Sequence, residues 1–333
     1  MKEIQLHAYA KINLTLDVTG RRPNGYHDVE MIMQQISLCD TITVGWEPDP
    51  SRQDVTIQLA VSRPDLPADA SNLAWKAAAE MISEFVAAAG TNSGGREDAA
   101  CRRDCGGLLS IRIEKKIPMA AGLAGGSSNC AAVLHGINQL WGLGLSVKEL
   151  CRIGAKLGSD VPFCIMGQAA AEEALQESFR EDPDAAHCAL ATGTGTDLKP
   201  LTGLDSLVVL SKPPIGVSTA EVYQGIDREG IPQHPDQKAV MSAICENNYK
   251  VLEEKMVNVL ENFTLKRYPI IVYTKNTMSD LCQSEGIPDC VMMSGSGPTV
   301  FCLCEDAEIA QRMCTAMLRH NEESFVARTT SRS

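Results

Sequence analysis

Regular alternation of apolar and polar residues opens the chain. From residue 3 to residue 18 almost every second side chain is apolar, which is the period of a β-strand with one buried face. Lys11 and Asn13 fall on the other face, where strand side chains are usually solvated. Asn24-Gly25 separates this run from a second extended run at 29–38, and this dipeptide is a strong hairpin signal. The chain is therefore predicted to begin with a long β-hairpin.

Helical spacing of apolar residues appears later in the chain. Apolar side chains recur at every fourth position in 72–89, and the capping box Ser146-Val-Lys-Glu149 begins a second predicted helix that ends at Gly158. The same two periods predict strands at 41–46, 55–60, 108–114, 207–210, 291–293, 299–304 and 324–328. The apolar segment that follows Asp160 is also expected to form a strand. They also predict helices at 127–140, from Ser218 onward, within 236–263 and at 306–320.

Chain length and element order predict two domains. A chain of 333 residues is longer than one hydrophobic core usually serves. The mixture of strands and helices predicts an α+β fold, with domains at 1–190 and 200–333. Residues 90–107 lack periodicity and are predicted to form an exposed loop. The alanine- and acid-rich segment 169–188 is predicted to be a solvated decoration, with a lid or an interface as the alternative.

Composition excludes several classes of protein. The net charge of −12 argues against wholesale nucleic-acid binding. The 13 cysteines are scattered and form no C-x-x-C pair, so we expect reduced thiols in a cytosolic protein and no zinc ribbon. We also expect a cytoplasmic location, because no signal-like segment and no apolar run of about 20 residues occurs.

A glycine-rich stretch at 118–128 lies between a predicted strand and a predicted helix. It reads Pro-Met-Ala-Ala-Gly-Leu-Ala-Gly-Gly-Ser-Ser. In such a turn, backbone N–H groups converge on an anion. Gly122, Gly125 and Gly126 permit positive φ and close approach, and the two serines add hydroxyl donors. The stretch is neither a Walker A motif nor G-x-G-x-x-G. By itself it supports phosphate binding and a plain helix cap equally.

Several separated stretches together resemble the GHMP kinase superfamily. The glycine-rich stretch is similar to the phosphate loop of that superfamily. Five other stretches are similar to its members that act on a cytidine-diphosphate-linked methylerythritol, and those at 20–27 and 212–219 narrow the resemblance to these members. These other stretches are Ala10-Lys-Ile-Asn-Leu14, Gly20-Arg-Arg-Pro-Asn-Gly-Tyr-His27, Leu157-Gly-Ser-Asp-Val-Pro-Phe163, Lys212-Pro-Pro-Ile-Gly-Val-Ser-Thr219 and Met293-Ser-Gly-Ser-Gly-Pro-Thr-Val-Phe301. The similarity covers most of the chain in the order of that family.

The resemblance implies a fold, a reaction and two catalytic residues. It implies an N-terminal domain like the second domain of ribosomal protein S5, a ferredoxin-like C-terminal domain and an active site in the cleft between them. The reaction would be phosphorylation of the substrate's 2-hydroxyl by ATP with Mg²⁺ in isoprenoid precursor synthesis, by a monomer or homodimer. Asp160 would accept the hydroxyl proton, although an Asp before a Pro-containing segment is most often a turn residue. The Lys11 cation would stabilise the transferring phosphoryl group.

The resemblance also implies the ligand contacts. Tyr223 would stack on cytosine, although a core tyrosine is nearly as well supported, and Ser127 would contact the β-phosphate or Mg²⁺. The implied ATP-binding residues are Pro118, Met119, Ala120, Ala121, Gly122, Leu123, Ala124, Gly125, Gly126, Ser127 and Ser128. The implied substrate-binding residues are Asn13, Tyr26, His27, Tyr223, Gly295 and Gly297, of which the two glycines could instead form only a tight turn. Ala124 departs from the glycine of many relatives.

Other functions fit the sequence less well. Homoserine and mevalonate, the substrates of two related kinases, carry no nucleobase for His27 and Tyr223 to hold. A non-catalytic nucleotide sensor is expected to lack Lys11 or Asp160, and both are present. A Rossmann oxidoreductase would need the dinucleotide fingerprint after a strand and an acidic ribose partner. We therefore expect a small-molecule kinase.

Overall fold

A long β-hairpin begins the structure, as predicted. In the computed structural model, which describes residues 2–85 and 106–330, β1 (Lys2–Arg21) is followed by a turn and pairs with β2 (His27–Asp49). Gly25 lies in this turn at φ +87°, a conformation that glycine adopts without a steric penalty. The single strand β2 includes both extended runs that the sequence predicts as separate strands.

The other elements are strands and helices, several of which follow one another in runs of the same type. The strands are β3 (Val55–Val61), β4 (Gly106–Glu114), β5 (Cys188–Thr192), β6 (Asp197–Leu201), β7 (Leu207–Lys212), β8 (Val291–Met293), β9 (Val300–Cys304) and β10 (Glu323–Arg328). The helices are α1 (Leu73–Phe85), α2 (Gly125–Leu140), α3 (Val147–Gly154), α4 (Val161–Ala171), α5 (Glu177–Arg180), α6 (Thr219–Glu229), α7 (Gln237–Glu246), α8 (Tyr249–Lys255), α9 (Glu261–Arg267), α10 (Pro269–Glu285) and α11 (Ala307–Met317). In the described residues the strands form two sheets, which confirms a mixed α and β fold.

Contacts between Cα atoms divide the chain into two compact units. The first unit consists of residues 1–9, 39–116 and 125–185. The second unit consists of residues 10–38, 117–124 and 186–333. Strands β1 and β2 each contribute residues to both units. The domain limits predicted from the sequence, 1–190 and 200–333, remain a prediction.

In the first unit, helices cover a mixed set of strands. β4 runs antiparallel to the second half of β2 and parallel to β3. Helix α2 lies so close to the strands that a Cβ atom on Gly136 would be 2.8 Å from Cγ2 of Val44. Helices α1 and α4 pack against α2, and α1 presents the fully buried Ala74, Ala77 and Ala78. Small residues on these helices therefore permit the close packing.

In the second unit, an antiparallel sheet has the order β10-β7-β9-β8. Helices α10 and α11 pack against its strands. β5 pairs with Met31–Gln34 of β2 and with β6. The core is one cluster of buried apolar side chains that includes Ile12, Ile32, Leu210 and Phe301. It also includes Ala121 and Leu123, so the core holds the middle of the glycine-rich stretch.

A helix, α4, follows Asp160, where the sequence interpretation placed a strand. That interpretation is wrong. Pro162 lies in the first turn of α4, where a helix does not need the missing N–H group. All residues from Val161 to Ala169 are buried. A segment that is apolar on every side has neither the strand period nor the helix period, so periodicity alone could not identify it.

Segment 169–188 is anchored in the first unit and is not a solvated decoration. Leu175, Phe179 and Ala185 are buried. The Phe179 ring meets the buried His135 ring edge-on, with ring centroids 5.4 Å apart. The prediction of a solvated segment is wrong. It relied on the average composition of the segment, in which alanines and acidic residues outnumber these few buried apolar side chains.

Helix α10 lies where the sequence analysis assigns no element. Pro269 begins this helix, and Gly286 follows it at φ +70°. Proline at the first position and glycine after the last are standard helix boundary signals, and they could have revealed it. The end of the predicted helix 72–89 and most of the predicted loop 90–107 lie outside the described residues.

Candidate active site

The second unit contains most of the glycine-rich stretch, in an unusual backbone conformation. Ala120, Gly122 and Ala124 have φ values of +47°, +74° and +57°. Left-handed residues at alternate positions are a feature of backbone concavities whose N–H groups bind anions. Gly125 and Gly126 begin α2 instead and are not among the residues with positive φ. Of the three glycines that permit positive φ, Gly122 therefore adopts it, and Gly125 and Gly126 do not.

The stretch is fixed in the second unit by contacts on two sides. The Lys11 N–H donates to the Leu123 carbonyl at 3.2 Å. The Ser294 hydroxyl donates to the Gly122 carbonyl at 3.0 Å. A Cβ atom on Gly122 would lie only 2.1 Å from the Ser294 carbonyl oxygen. Only glycine therefore fits where the stretch meets the turn that begins at Ser294.

Ser127 and Ser128 differ in their surroundings, although both lie in the first turn of α2 in the first unit. The Ser128 hydroxyl is buried and donates to the Tyr9 carbonyl at 2.7 Å. Gln168 Nε2 donates to both the carbonyl and the hydroxyl oxygen of Ser128. Ser127 is half-buried. The Ser128 hydroxyl therefore ties α2 to its neighbours, and Ser127 is the serine whose surroundings leave room for a ligand.

A buried carboxylate in the first unit connects residues on both sides of the glycine-rich stretch. Asp40 is fully buried and accepts from Lys115 Nζ at 2.5 Å, from the Lys116 N–H at 2.7 Å and from Asn129 Nδ2 at 2.7 Å. Burial lowers the pKa of Lys115, and the Asp40 charge opposes this shift. Sequence reasoning missed Asp40, because an isolated Asp at a strand position carries no motif.

Lys11 and Asn13 are buried, although both were expected on a solvated strand face. Lys11 is 4% exposed and Asn13 is fully buried. Lys11 Nζ donates to Asn13 Oδ1 at 2.7 Å, and Asn13 Nδ2 contacts Met31 Sδ at 3.3 Å. A buried ammonium group is costly unless it is compensated. The burial of a lysine at this position therefore indicates a specific role.

Asp160 belongs to the first unit and precedes α4. It occupies the N-cap position with φ −83° and ψ −11°, and its side chain makes no capping hydrogen bond to the helix. Its backbone carbonyl accepts from the Cys164 N–H at 3.1 Å. The partial positive charge at the start of a helix favours a carboxylate at this position. The side chain is half-buried, so part of it is accessible to solvent.

In the second unit, aromatic side chains gather near the end of the hairpin. His27 and Tyr223 have ring centroids 4.9 Å apart at an angle of 31°, and Tyr26 is 62% exposed. Tyr223 is half-buried, so it is not the core tyrosine that the sequence left open. Asp227, which the sequence analysis did not select, accepts from His27 Nε2 at 2.7 Å. Its position one helical turn after Tyr223 could have suggested it.

The second glycine-rich turn is more than a sharp bend. Gly295 and Gly297 have φ values of +57° and +88°. Asn258, buried and also missed from the sequence, donates to the Met293 and Gly295 carbonyls at 2.8 Å each. A Cβ atom on Gly295 would lie 3.5 Å from Lys11 Nζ. The second unit thus brings this turn close to Lys11, Asn13 and the first glycine-rich stretch.

Two kinds of feature are absent from residues 2–85 and 106–330. No group of three or more His, Cys, Asp or Glu side chains in these ranges is arranged to hold a metal ion. Among the described helices, none has both the length and the apolar character needed to span a membrane.

Known proteins are similar to this chain over nearly its whole length. The model of the GHMP kinases N terminal domain matches residues 72–168. The 4-diphosphocytidyl-2-C-methyl-D-erythritol kinase of Alkaliphilus metalliredigens is 43% identical over 302 residues, which cover 90% of this chain and 88% of that protein. The enzyme of the same name from Brevibacillus brevis is 40% identical over 326 residues, with 98% and 96% covered.

Solved structures give the same picture at the level of the fold. A crystal structure of 4-(cytidine 5'-diphospho)-2C-methyl-D-erythritol kinase aligns with a TM-score of 0.71 and 26% identity, covering 99% of this chain and 100% of that one. The homoserine kinase of Cytophaga hutchinsonii aligns with a TM-score of 0.65 at 16% identity, covering 99% and 95%. The second likeness concerns the fold alone.

Proposed function

This chain belongs to the 4-diphosphocytidyl-2-C-methyl-D-erythritol kinase family, and from that membership we infer that it transfers the γ-phosphoryl group of ATP to the 2-hydroxyl of the substrate in the family's name. It is thus an ATP-dependent small-molecule kinase of isoprenoid precursor synthesis. The observation that carries this assignment is the similarity to the named kinases over almost the entire chain.

Phosphoryl transfer requires positioning, charge neutralisation and a proton acceptor. We assign the acceptor role to Asp160, whose half-buried carboxylate does not cap its own helix. We assign charge neutralisation to Lys11, which is buried and oriented by Asn13. An ammonium group in such a site stabilises developing negative charge more strongly than it would in water.

ATP phosphates would be held by residues 118–128. Positive φ at residues 120, 122 and 124 supports this role, because alternate left-handed residues are a feature of anion-binding backbone concavities. The start of α2 adds its free N–H groups and its dipole. Mg²⁺ would reach the site mainly through the phosphates, as it does in kinases. Ser127 is the hydroxyl of this turn that fits the ion, since Ser128 is committed to Tyr9.

The cytidine end of the substrate would be held by the second unit. We propose that Tyr223 and the exposed Tyr26 stack on the base, and that His27 hydrogen-bonds its edge. The close pairing of His27 with Tyr223 supports this role. Asn13, Gly295 and Gly297 would border the rest of the substrate, and the short distance between Gly295 and Lys11 Nζ supports that placement.

We also propose the finer architecture that the family implies. Residues 1–190 would form a domain like the second domain of ribosomal protein S5, and residues 200–333 a ferredoxin-like domain. The antiparallel sheet β10-β7-β9-β8 with α10 and α11 packed against it supports the latter. A cytoplasmic location, a monomer or homodimer and the absence of nucleic-acid binding remain predictions.

A substrate panel tests the function directly. The purified protein is incubated with ATP, Mg²⁺ and, separately, the cytidine-linked methylerythritol, mevalonate, homoserine and galactose, and ADP release is measured. ADP with the cytidine-linked substrate alone is expected. ADP with another alcohol would keep the kinase and overturn the substrate. No ADP with any alcohol, while ATP still binds, would favour a nucleotide sensor.

Substitution of Asp160 tests the mechanism. Asp160→Asn removes the proton acceptor and keeps the shape of the side chain. We expect turnover to fall by roughly 10²- to 10⁴-fold with nearly unchanged ATP affinity, measured by calorimetric titration. Turnover close to that of the wild-type enzyme would remove Asp160 from the role of base.

A further inference from the structure

The contact between His27 and Asp227 carries an inference that rests on the proposed function and deepens it. We propose that Asp227 is a positioning residue, which holds the imidazole proton of His27 on Nε2. Nδ1 of His27 is then a hydrogen-bond acceptor that selects cytosine over uracil. The residues involved all lie in the second unit.

Hydrogen-bond chemistry fixes the proton in this contact. His27 Nε2 lies 2.7 Å from Asp227 Oδ1. An ionised carboxylate has only acceptor atoms, so Nε2 must be the donor. In a neutral imidazole one ring nitrogen donates and the other accepts. When His27 is neutral, a proton on Nε2 therefore leaves Nδ1 with a lone pair for a ligand.

Both members of the contact are held in place. The His27 side chain is only 10% exposed, and its ring packs on Tyr223. The second carboxylate oxygen of Asp227 forms an ion pair with Arg21, in which Oδ2 and Nη1 are 3.3 Å apart. Asp227 follows Tyr223 by four residues on α6, so one helix face supplies the ring contact and the carboxylate. The imidazole is thus restrained on one face and at one edge.

An acceptor at Nδ1 distinguishes the two pyrimidines. Cytosine presents an amino group, a donor, where uracil presents a carbonyl oxygen, an acceptor. The cytosine amino group satisfies Nδ1, whereas the uracil oxygen would place two lone pairs against each other in a partly desolvated pocket. We expect this difference to favour the cytidine substrate by roughly 10- to 100-fold in kcat/KM.

Asp227→Asn tests this role because it preserves the size of the side chain. An amide can donate to Nε2, which allows the proton to move to Nδ1. We expect the KM for the cytidine-linked substrate to rise by about tenfold, with kcat and the KM for ATP unchanged. The preference over the uridine-linked analogue should fall by about the same factor. Asp227→Glu, which retains a carboxylate, should keep most of the preference.

Glu229→Gln is the matched control. It removes a carboxylate from the same helix, two residues after Asp227, and the partner of Glu229 is Lys266 at 2.6 Å. We expect wild-type kinetics and selectivity from this variant. If it lowers the base preference as much as Asp227→Asn does, general loss of charge is the cause and the proposal is overturned.

Nitrogen NMR reads the proton position without substrate. In protein labelled with ¹⁵N-histidine, the His27 signals are identified by their absence in His27→Gln. We expect a protonated Nε2 in the wild-type protein and a shift toward a protonated Nδ1 in Asp227→Asn. The same tautomer in both proteins, or an unchanged base preference in Asp227→Asn, would overturn the proposal.

Kinetics of the wild-type enzyme with the two substrates distinguish a failure of the proposed function from a failure of the proposed base selection. If the wild-type enzyme does not phosphorylate the cytidine-linked substrate at all, the proposed function fails, and the base-selection part of the inference fails with it. If the wild-type enzyme uses cytidine- and uridine-linked substrates equally well, the proposed kinase stands and base selection through Nδ1 of His27 is refuted.

Discussion

Gly122→Ala is the substitution for which the structure gives the sharpest expectation. Gly122 has φ +74°, and a Cβ atom there would lie 2.1 Å from the Ser294 carbonyl oxygen and 3.1 Å from that of Gly297. Both atoms belong to the backbone and cannot rotate away as a side chain would. The added methyl group must therefore push the two glycine-rich turns apart.

The expected magnitude combines conformational strain with steric overlap. An L-residue in the left-handed region costs about 1–2 kcal/mol. Overpacking against fixed backbone costs about 1–3 kcal/mol more, and separation of the turns also lengthens the hydrogen bond from Ser294 to Gly122. We expect the free energy of unfolding to fall by about 3–5 kcal/mol in total.

Gly286→Ala separates the two contributions. Gly286 has φ +70°, and no atom lies within 4 Å of its added Cβ. This control has the conformational strain without the overlap, so we expect a loss of only about 1 kcal/mol. Both variants lie in the second unit, which makes their unfolding directly comparable.

Urea denaturation measures both variants, and steady-state kinetics with ATP measures the effect on the site. Gly122→Ala should also lower kcat/KM for ATP by roughly 10²-fold, because small displacements of positioning groups are costly. Gly286→Ala should retain normal kinetics. If Gly122→Ala is no less stable than Gly286→Ala, the two turns do not pack as described and the reasoning is refuted.

Three further predictions concern the stretch and the first unit. Ala124→Gly should raise the free energy of unfolding in urea by about 0.5–1 kcal/mol, because φ is +57° there and glycine relieves the strain; a destabilised variant would contradict this. Asp40→Asn should lower the free energy of unfolding by about 3–5 kcal/mol, because it leaves Lys115 buried without its partner. Adding Lys115→Met should recover most of this loss, and no recovery would exclude the buried charge as the cause. Burial lowers the pKa of His135 to about 4, so the unfolded chain takes up the proton first. The contribution of His135 to the free energy of unfolding should therefore be complete above pH 6.5 and should fall by about 3 kcal/mol on acidification to pH 4. The dependence of the free energy of unfolding on pH should be weaker in His135→Gln, and an equal dependence in that variant would show that His135 is not its cause.

Local patterns in the sequence determined much of the fold. Alternation and the Asn24-Gly25 dipeptide predicted the β1–β2 hairpin, and the capping box at Ser146 is present as predicted. These features depend on neighbouring residues, so a short window contains the necessary information. Segments whose environment is set by distant residues were different. Helix α4 is apolar on every side because other helices surround it, and its sequence period is therefore uninformative.

The candidate site divides in the same way. Residue type and motif order selected Lys11, Asp160, His27, Tyr223 and the glycine-rich stretch from the sequence. Asp40 and Asn258 could not be selected, because their partners are far away in the chain: Asp40, for example, is 89 residues from Asn129. Asp227 is 200 residues from His27, and its spacing from Tyr223 was the one local signal for it.

The sequence by itself determined the family. Its motifs also led us to propose the glycine-rich stretch for phosphate binding and particular residues for phosphoryl transfer, because motifs record the chemical groups a reaction needs. Only the tertiary structure decided which polar groups are buried, which glycines have no room for a Cβ atom and which carboxylate orients which ring. Those properties depend on packing between residues that are remote in sequence, and burial sets both the cost of a polar group and the value of its partner.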